Sequence, residues 1–253
     1  MPVFHHIDKP AEIKAAKERM PVAYIGIGIL EWHGLHNPAG LDGVKADGVA
    51  AFLADRFGGV VMPHLFWGDN RAEIAEMVFK PGINEYVTYD HTAVMCDLIG
   101  YDKAAIAENA KRNGSWRLWE ELFVHILFEL ESFGYQCVVP IPGHYPLFHP
   151  LNRAIAAYKE QGGKCDVYTL KDTMYADDGN SGDHAASFET SIMLALRPEL
   201  VDMSRLSTDM SEPNVGVLGG DPRTEASLEY GQDILKKFAF LMERHLKETG
   251  LIK

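Results

Sequence analysis

The run Pro21-Val22-Ala23-Tyr24-Ile25-Gly26-Ile27-Gly28-Ile29-Leu30 is apolar throughout and is ended by Glu31. Successive side chains of a strand point to opposite faces, so a strand wetted on one side alternates apolar with polar residues. This run has no polar face. It predicts a strand covered on both sides, as at the centre of a parallel sheet flanked by helices.

The pattern around it agrees. Ala11 to Glu18 and Val44 to Phe57 read as helices, the second stopped by Gly58-Gly59, and Val60 to Pro63 reads as a second strand. Leu118 to Phe133 carries Leu122, Ile126, Leu127, Leu130 and Phe133 at helical spacing. Tyr135 to Ile141 is a strand, Leu151 to Gln161 a helix and Cys165 to Leu170 a strand. One helix starts near Asp183, continues through Glu189 to Leu196 and stops at Arg197-Pro198; the last runs from Thr224 to Thr249. The alternation predicts an α/β fold with a mostly parallel sheet. Gly68 to Gly114 is expected to form loops and a short excursion over the active face. With no repeat, low-complexity tract or linker, residues 1–253 read as one domain.

Composition excludes some partners. A formal charge of −12 argues against nucleic acid, whose phosphates require clustered Lys and Arg. No stretch approaches the roughly 20 apolar residues that cross a bilayer, and Met1 to Glu18 lacks the apolar core of a signal peptide. A cytoplasmic location is expected. Cys96, Cys137 and Cys165 form no C-x-x-C pair, so neither a disulfide framework nor a zinc ribbon is predicted. Cys137, within an apolar strand, reads as a buried inert thiol.

Three clusters could carry chemistry. Glu31 and His33 follow the first strand and, at i and i+2, can aim a carboxylate and an imidazole at one point while Trp32 faces away. His36 and Asp42 follow in the loop Gly34 to Gly43. This mixture of ligands suits zinc, manganese or iron, and open α/β sheets bind ligands beyond the carboxyl ends of their strands. Gly26-Ile27-Gly28 lacks the third glycine of a dinucleotide fingerprint, where Glu31 stands, so these glycines read as packing positions. His144, in Gly143-His144-Tyr145, again follows an apolar strand; His149 reads as a loop residue. The third cluster runs from Gly182 through Asp183, His184 and Glu189 to Ser191, with Asp183 suited to a helix start. On that segment alone, a capped helix with an exposed histidine is the better reading. Convergence of all three at one sheet edge is the economical reading.

The ordered set resembles the creatininase family. The family signature E-x-H-G-x-H-L-P-x-x-T-D stands here as Glu31-Trp32-His33-Gly34-Leu35-His36-Asn37-Pro38-Ala39-Gly40-Leu41-Asp42. Its N-G-H-x-x-N segment is matched in the central Gly143-His144, and its H-A-G-x-x-E-T-S by His184-Ala185-Ala186-Ser187-Phe188-Glu189-Thr190-Ser191. Gly216 to Pro222 is similar to its G-V-x-G-D-P, displaced by an extra glycine.

The resemblance implies a three-layer α/β/α sandwich, a homo-oligomer such as a hexamer, and a centre of one or two divalent ions (Zn, Mn or Fe). It implies Glu31, His33, Asp42, His144 and Glu189 as ligands, with Asp42 the bridge, and His184, assisted by Asp183, as proton carrier. Trp32, His36 and Tyr145 are expected to line the substrate. The activity implied is attack of metal-activated water on the carbonyl of a small cyclic amide, lactam or formamide. Ring opening of a cyclic polyol-derived ketone, inosose-type, is the alternative, and a non-catalytic metal-binding protein the third. Pro146 stands where creatininase itself carries a glutamate, so one metal position is expected to be weaker, differently ligated or empty.

Overall fold

A computed structural model describes residues 1–67, 75–80, 85–112, 116–170, 183–212 and 214–253, and of 75–80, 85–92 and 110–112 the backbone only. The chain opens with β1 (Val3–Phe4), α1 (Pro10–Arg19) and β2 (Val22–Ile27), followed by α2 (Leu41–Phe57) and β3 (Val60–Val61). Next come a hairpin, β4 (Ala75–Lys80) and β5 (Glu85–Asp90), and the helices α3 (His91–Ile99), α4 (Lys103–Arg112) and α5 (Arg117–Ser132). β6 (Cys137–Pro142), α6 (Phe148–Glu160), β7 (Asp166–Val167), α7 (Ser187–Leu196), α8 (Pro222–Glu225) and α9 (Leu228–Glu248) complete it.

Five strands form a parallel sheet in the order β1-β3-β2-β6-β7. The apolar run occupies the centre as β2, buried at all six positions and paired along its length with β6. Its two faces feed two cores. Val22 and Tyr24, beside Cys137 and Val139, pack under α2, α7 and α9. Ala23, Ile25 and Ile27, beside Val138, pack under α5 and α6 with Ala16 of α1. Helix, sheet and helix thus make the three layers expected.

The path of the chain fixes where a site can form. From β2 the chain crosses by α2 on one face to β3, and later enters β6 from α5 on the other face. Connections therefore leave in opposite directions between β2 and β6, opening a crevice beyond their carboxyl ends. Two glycines let α2 dock there. A Cβ on Gly28 would lie 2.3 Å from the Gly43 nitrogen, and one on Gly143 2.0 Å from the Asp42 carbonyl oxygen. Gly28 is thus a packing position, as its sequence context predicts, and Gly143 is a second one.

Several boundaries differ from the sequence reading. Where loops were expected from Gly68 to Gly114, the described part is the β4–β5 hairpin followed by α3 and α4; residues 68–74, 81–84 and 113–115 lie outside the described residues, as does Gly182. Mixed polarity hid the hairpin, because a two-stranded ribbon needs no continuous apolar run. Helix α6 begins at Phe148, so His149 is helical. The last helix is interrupted: α8 ends at Glu225, and the Ser227 side chain accepts from Tyr230 N to start α9. Cys96, Cys137 and Cys165 are buried free thiols, and burial pushes the Cys137 thiol up. Among the described residues no helix is long and apolar enough to cross a membrane.

Candidate metal centre

Strand β2 stops at Ile27, so Glu31 and His33 do not alternate on a strand as expected. They lie on the irregular segment beyond it, both buried. What orients them is a local bond: His33 Nδ1 stands 2.9 Å from the Glu31 carbonyl oxygen. A carbonyl only accepts, so Nδ1 carries the hydrogen and Nε2 is turned inward as a potential ligand atom. Trp32 does face away, packing on Met95 and Cys96 of α3.

Asp42 is on a helix rather than the expected loop, because α2 begins at Leu41. In the first helical turn its carboxylate is favoured by the backbone dipole. It is the central group of the site. Its Oδ1 lies 3.1 Å from His33 Nε2 and its Oδ2 3.2 Å from His144 Nδ1. His144, just past β6, is also 3.0 Å from Glu31 Oε2.

Helix α7 begins at Ser187, not near Asp183. Asp183 instead reaches forward, its carboxylate accepting from Phe188 N at 2.7 Å and Glu189 N at 3.2 Å. Between them His184 forms a short antiparallel bridge with Leu218, and Ala185 takes a positive φ of 54°. That turn aims Ala185 N at Glu189 Oε2, 2.8 Å away. The same oxygen is 3.6 Å from His33 Nε2. His184 stacks on His33 with ring centroids 4.3 Å apart. Its Nε2 is 3.0 Å from the Trp32 carbonyl, and Nδ1 is 4.0 Å from Glu31 Oε2.

Six side chains anticipated from sequence therefore meet. Their ligand atoms form overlapping trios, each within 4.8 Å: Glu31–Asp42–His144, His33–Asp42–Glu189 and Glu31–His33–His184. Asp42 belongs to two of them, one oxygen toward each. A separate trio, Cys137–Asp166–His245, lies at the other end of β6 and β7, where His245 and Asp166 are ion-paired.

The electrostatics are those of a cation site. Burial alone would raise the Glu31 carboxyl, but the His144 hydrogen bond and charge win and bring it to about 2. Asp42 is likewise held well below the carboxylate range: burial opposes this, and His33 and His144 outweigh it. Burial alone would lower His33, but Asp42 and Glu189 raise it to about 10. Three anionic side chains packed this closely favour whatever positive charge is available.

The three residues expected to line the substrate are placed differently from one another. Tyr145 is exposed at the rim, whereas Trp32 and His36 are buried. His36 Nε2 is 3.0 Å from both Thr190 Oγ1 and Asn37 Nδ2, and so stands behind the cluster. Burial, with help from His33, pushes its imidazole down to about 4, against an opposing backbone hydrogen bond at Ala185.

One participant was not foreseen. Lys45, buried on α2 one turn beyond Asp42, donates to Glu189 Oε1 at 2.5 Å. Its signal in the sequence is a lysine inside Gly43-Val44-Lys45-Ala46, where the neighbouring residues are small or apolar.

Comparison with known proteins follows the same lines. Residues 115–244, just over half of the chain, match the Creatininase family model, described as creatinine amidohydrolase. The match begins after Glu31, His33 and Asp42. A manganese form of creatininase is 21% identical with a TM-score of 0.67, covering 98% of this chain and 99% of that one. A Glu-to-Gln creatininase variant complexed with creatine gives 21% and 0.66, with the same coverage. Its Zn-Zn form gives 21% and 0.64, covering 98% of each chain. At such identity the likeness establishes the fold. No curated protein sequence matches the chain.

Proposed function

This chain belongs to the creatininase family, and on that premise we propose that residues 1–253 form one metal-dependent hydrolase acting on a C–N bond of a small cyclic amide, lactam or formamide. The observation that carries the reading is the buried overlap of the three ligand trios around Asp42. The donor set fits divalent ions: carboxylate and imidazole atoms suit zinc and manganese, the metals named for the related creatininases. The description of the family and the creatine complex of a relative support the choice of substrate class.

Glu31, Asp42 and His144 would hold one ion, and His33, Asp42 and Glu189 a second. An ion held there lowers the pKa of bound water toward neutrality and polarises a carbonyl. His184 serves as the proton carrier. Its Nε2 is committed to the Trp32 carbonyl, which leaves Nδ1, facing Glu31, to take a proton and return it to the departing nitrogen. Asp183, by fixing the start of α7, keeps His184 and Glu189 in register. Tyr145 at the rim is the substrate contact; Trp32 and His36 support the site from behind.

Variants of three histidines test this. His33→Ala and His144→Ala are each expected to lose bound metal and activity together, measured by elemental analysis and a hydrolysis screen of small lactams and formamides. His184→Ala should retain metal while turnover falls by roughly 10²–10⁴. Full metal content and activity in the His33 and His144 variants would refute the ligand assignment, and loss of metal in the His184 variant would make that residue a ligand.

A further inference from the structure

We propose that Lys45 is a built-in counter-charge that holds Glu189 to single-oxygen ligation and weakens ion binding at the His33–Asp42–Glu189 position. The inference rests on the metal-centre reading above.

Glu189 has two oxygens with separate commitments. Oε1 accepts from Lys45 Nζ at 2.5 Å, while Oε2 accepts from Ala185 N and faces His33. Oε2 is the oxygen that stands 3.6 Å from His33 Nε2. An ion at that position would therefore meet one oxygen of Glu189, with an ammonium bound to the other. The Lys45 and Glu189 side chains are 4% and 5% exposed, so water does little to screen that ammonium from an ion across the carboxylate. Lys45 lines a small cavity with Val49, Ile141, Leu170 and Phe238, and a buried ammonium is costly without a counter-charge.

Glu189 belongs to the His33–Asp42–Glu189 trio, whereas the Glu31–Asp42–His144 trio shares only Asp42 with it. The consequence is an asymmetric centre, in which one position carries a fixed positive charge among its ligands and the other does not. A neutral side chain of similar length at residue 45 should release Glu189 for two-oxygen ligation and remove the repulsion.

The test is calorimetric titration of the metal-free full-length protein with Mn2+ alone, with stoichiometry by elemental analysis. Lys45→Met should tighten one binding step at least about tenfold and leave the other within about threefold. Lys45→Arg, which keeps the charge, should behave as wild type. In a His33→Ala background, where the affected position is disabled, adding Lys45→Met should change the remaining step less than about threefold. An unchanged or weakened step in Lys45→Met, with Mn2+ still bound, overturns the role of Lys45 alone. If wild type binds no Mn2+ at all, the metal-centre reading falls and this inference with it.

Discussion

His36 and Asp42 both follow β2 and precede or open α2, yet the fold uses them differently. Asp42 enters a helix and becomes the member shared by two trios, whereas His36 is buried against Thr190 and Asn37. Sequence spacing could suggest both as site residues but could not separate them, because the difference lies in a contact to α7 more than a hundred residues away. Lys45 was missed for a related reason: a lysine in a helix is ordinarily a solvated residue, and only the approach of Glu189 makes it part of the site. His36 yields a prediction with a definite sign. Its folded pKa, about 4, lies below the unfolded value of about 6.5. Between these values the unfolded chain binds more protons, so stability rises with pH across the window and is lost as pH falls from 6.5 toward 4. His36→Gln should remove this component. Urea unfolding at pH 7 and pH 4.5 is expected to show a stability loss smaller by about 2 kcal/mol in the variant; equal losses in the two proteins would rule the effect out.

At the scale of elements, the central strand and the helices that cover it were legible because burial on both faces leaves an unbroken apolar run. Strands β1 and β7 have two residues each, too short to carry a periodic signal. For β7 the backbone pairing nonetheless continues past the strand, with Tyr168 N bonded to the Val138 carbonyl and Leu170 N to that of Pro140. The sequence brings Glu31 and His33 to one point by strand alternation, a geometry that the structure does not use; a bond from the His33 imidazole to the Glu31 carbonyl orients the pair instead. The docking of α2 is a more exacting constraint. Any side chain at Gly143 must displace the first turn of α2, since a Cβ would stand 2.0 Å from the Asp42 carbonyl oxygen. Gly143→Ala should cost about 1–3 kcal/mol, the usual range for overpacking, and weaken metal binding by shifting Asp42. Chemical denaturation and metal titration on the same variant would show both effects; wild-type values in the two measurements would contradict the close approach.

For the whole molecule, folding brings Glu31, Asp42 and Glu189 together in one buried crevice, so a cation bound there is coupled to the folded state. Ions that bind only the folded chain stabilise it by mass action, about 2.7 kcal/mol at a hundredfold excess over Kd. In a chain of this size that corresponds to a rise in Tm of roughly 5–10 °C. Melting curves with Mn2+ and after chelation should differ by this amount, and coincident curves would argue against a structural contribution from the centre.

The placement of the ligands also bears on how the chain is made. Glu31 leaves the ribosome long before Glu189, and the β2–β6 pairing that joins the two halves of the crevice is far apart in sequence. Contacts of this kind are slow to form. The His33–Asp42–Glu189 position would thus fill only once Glu189 has been made and α7 has docked, whereas the residues of the Glu31–Asp42–His144 position are all made before it. Filling of the two positions would then be ordered, with the one that needs Glu189 last.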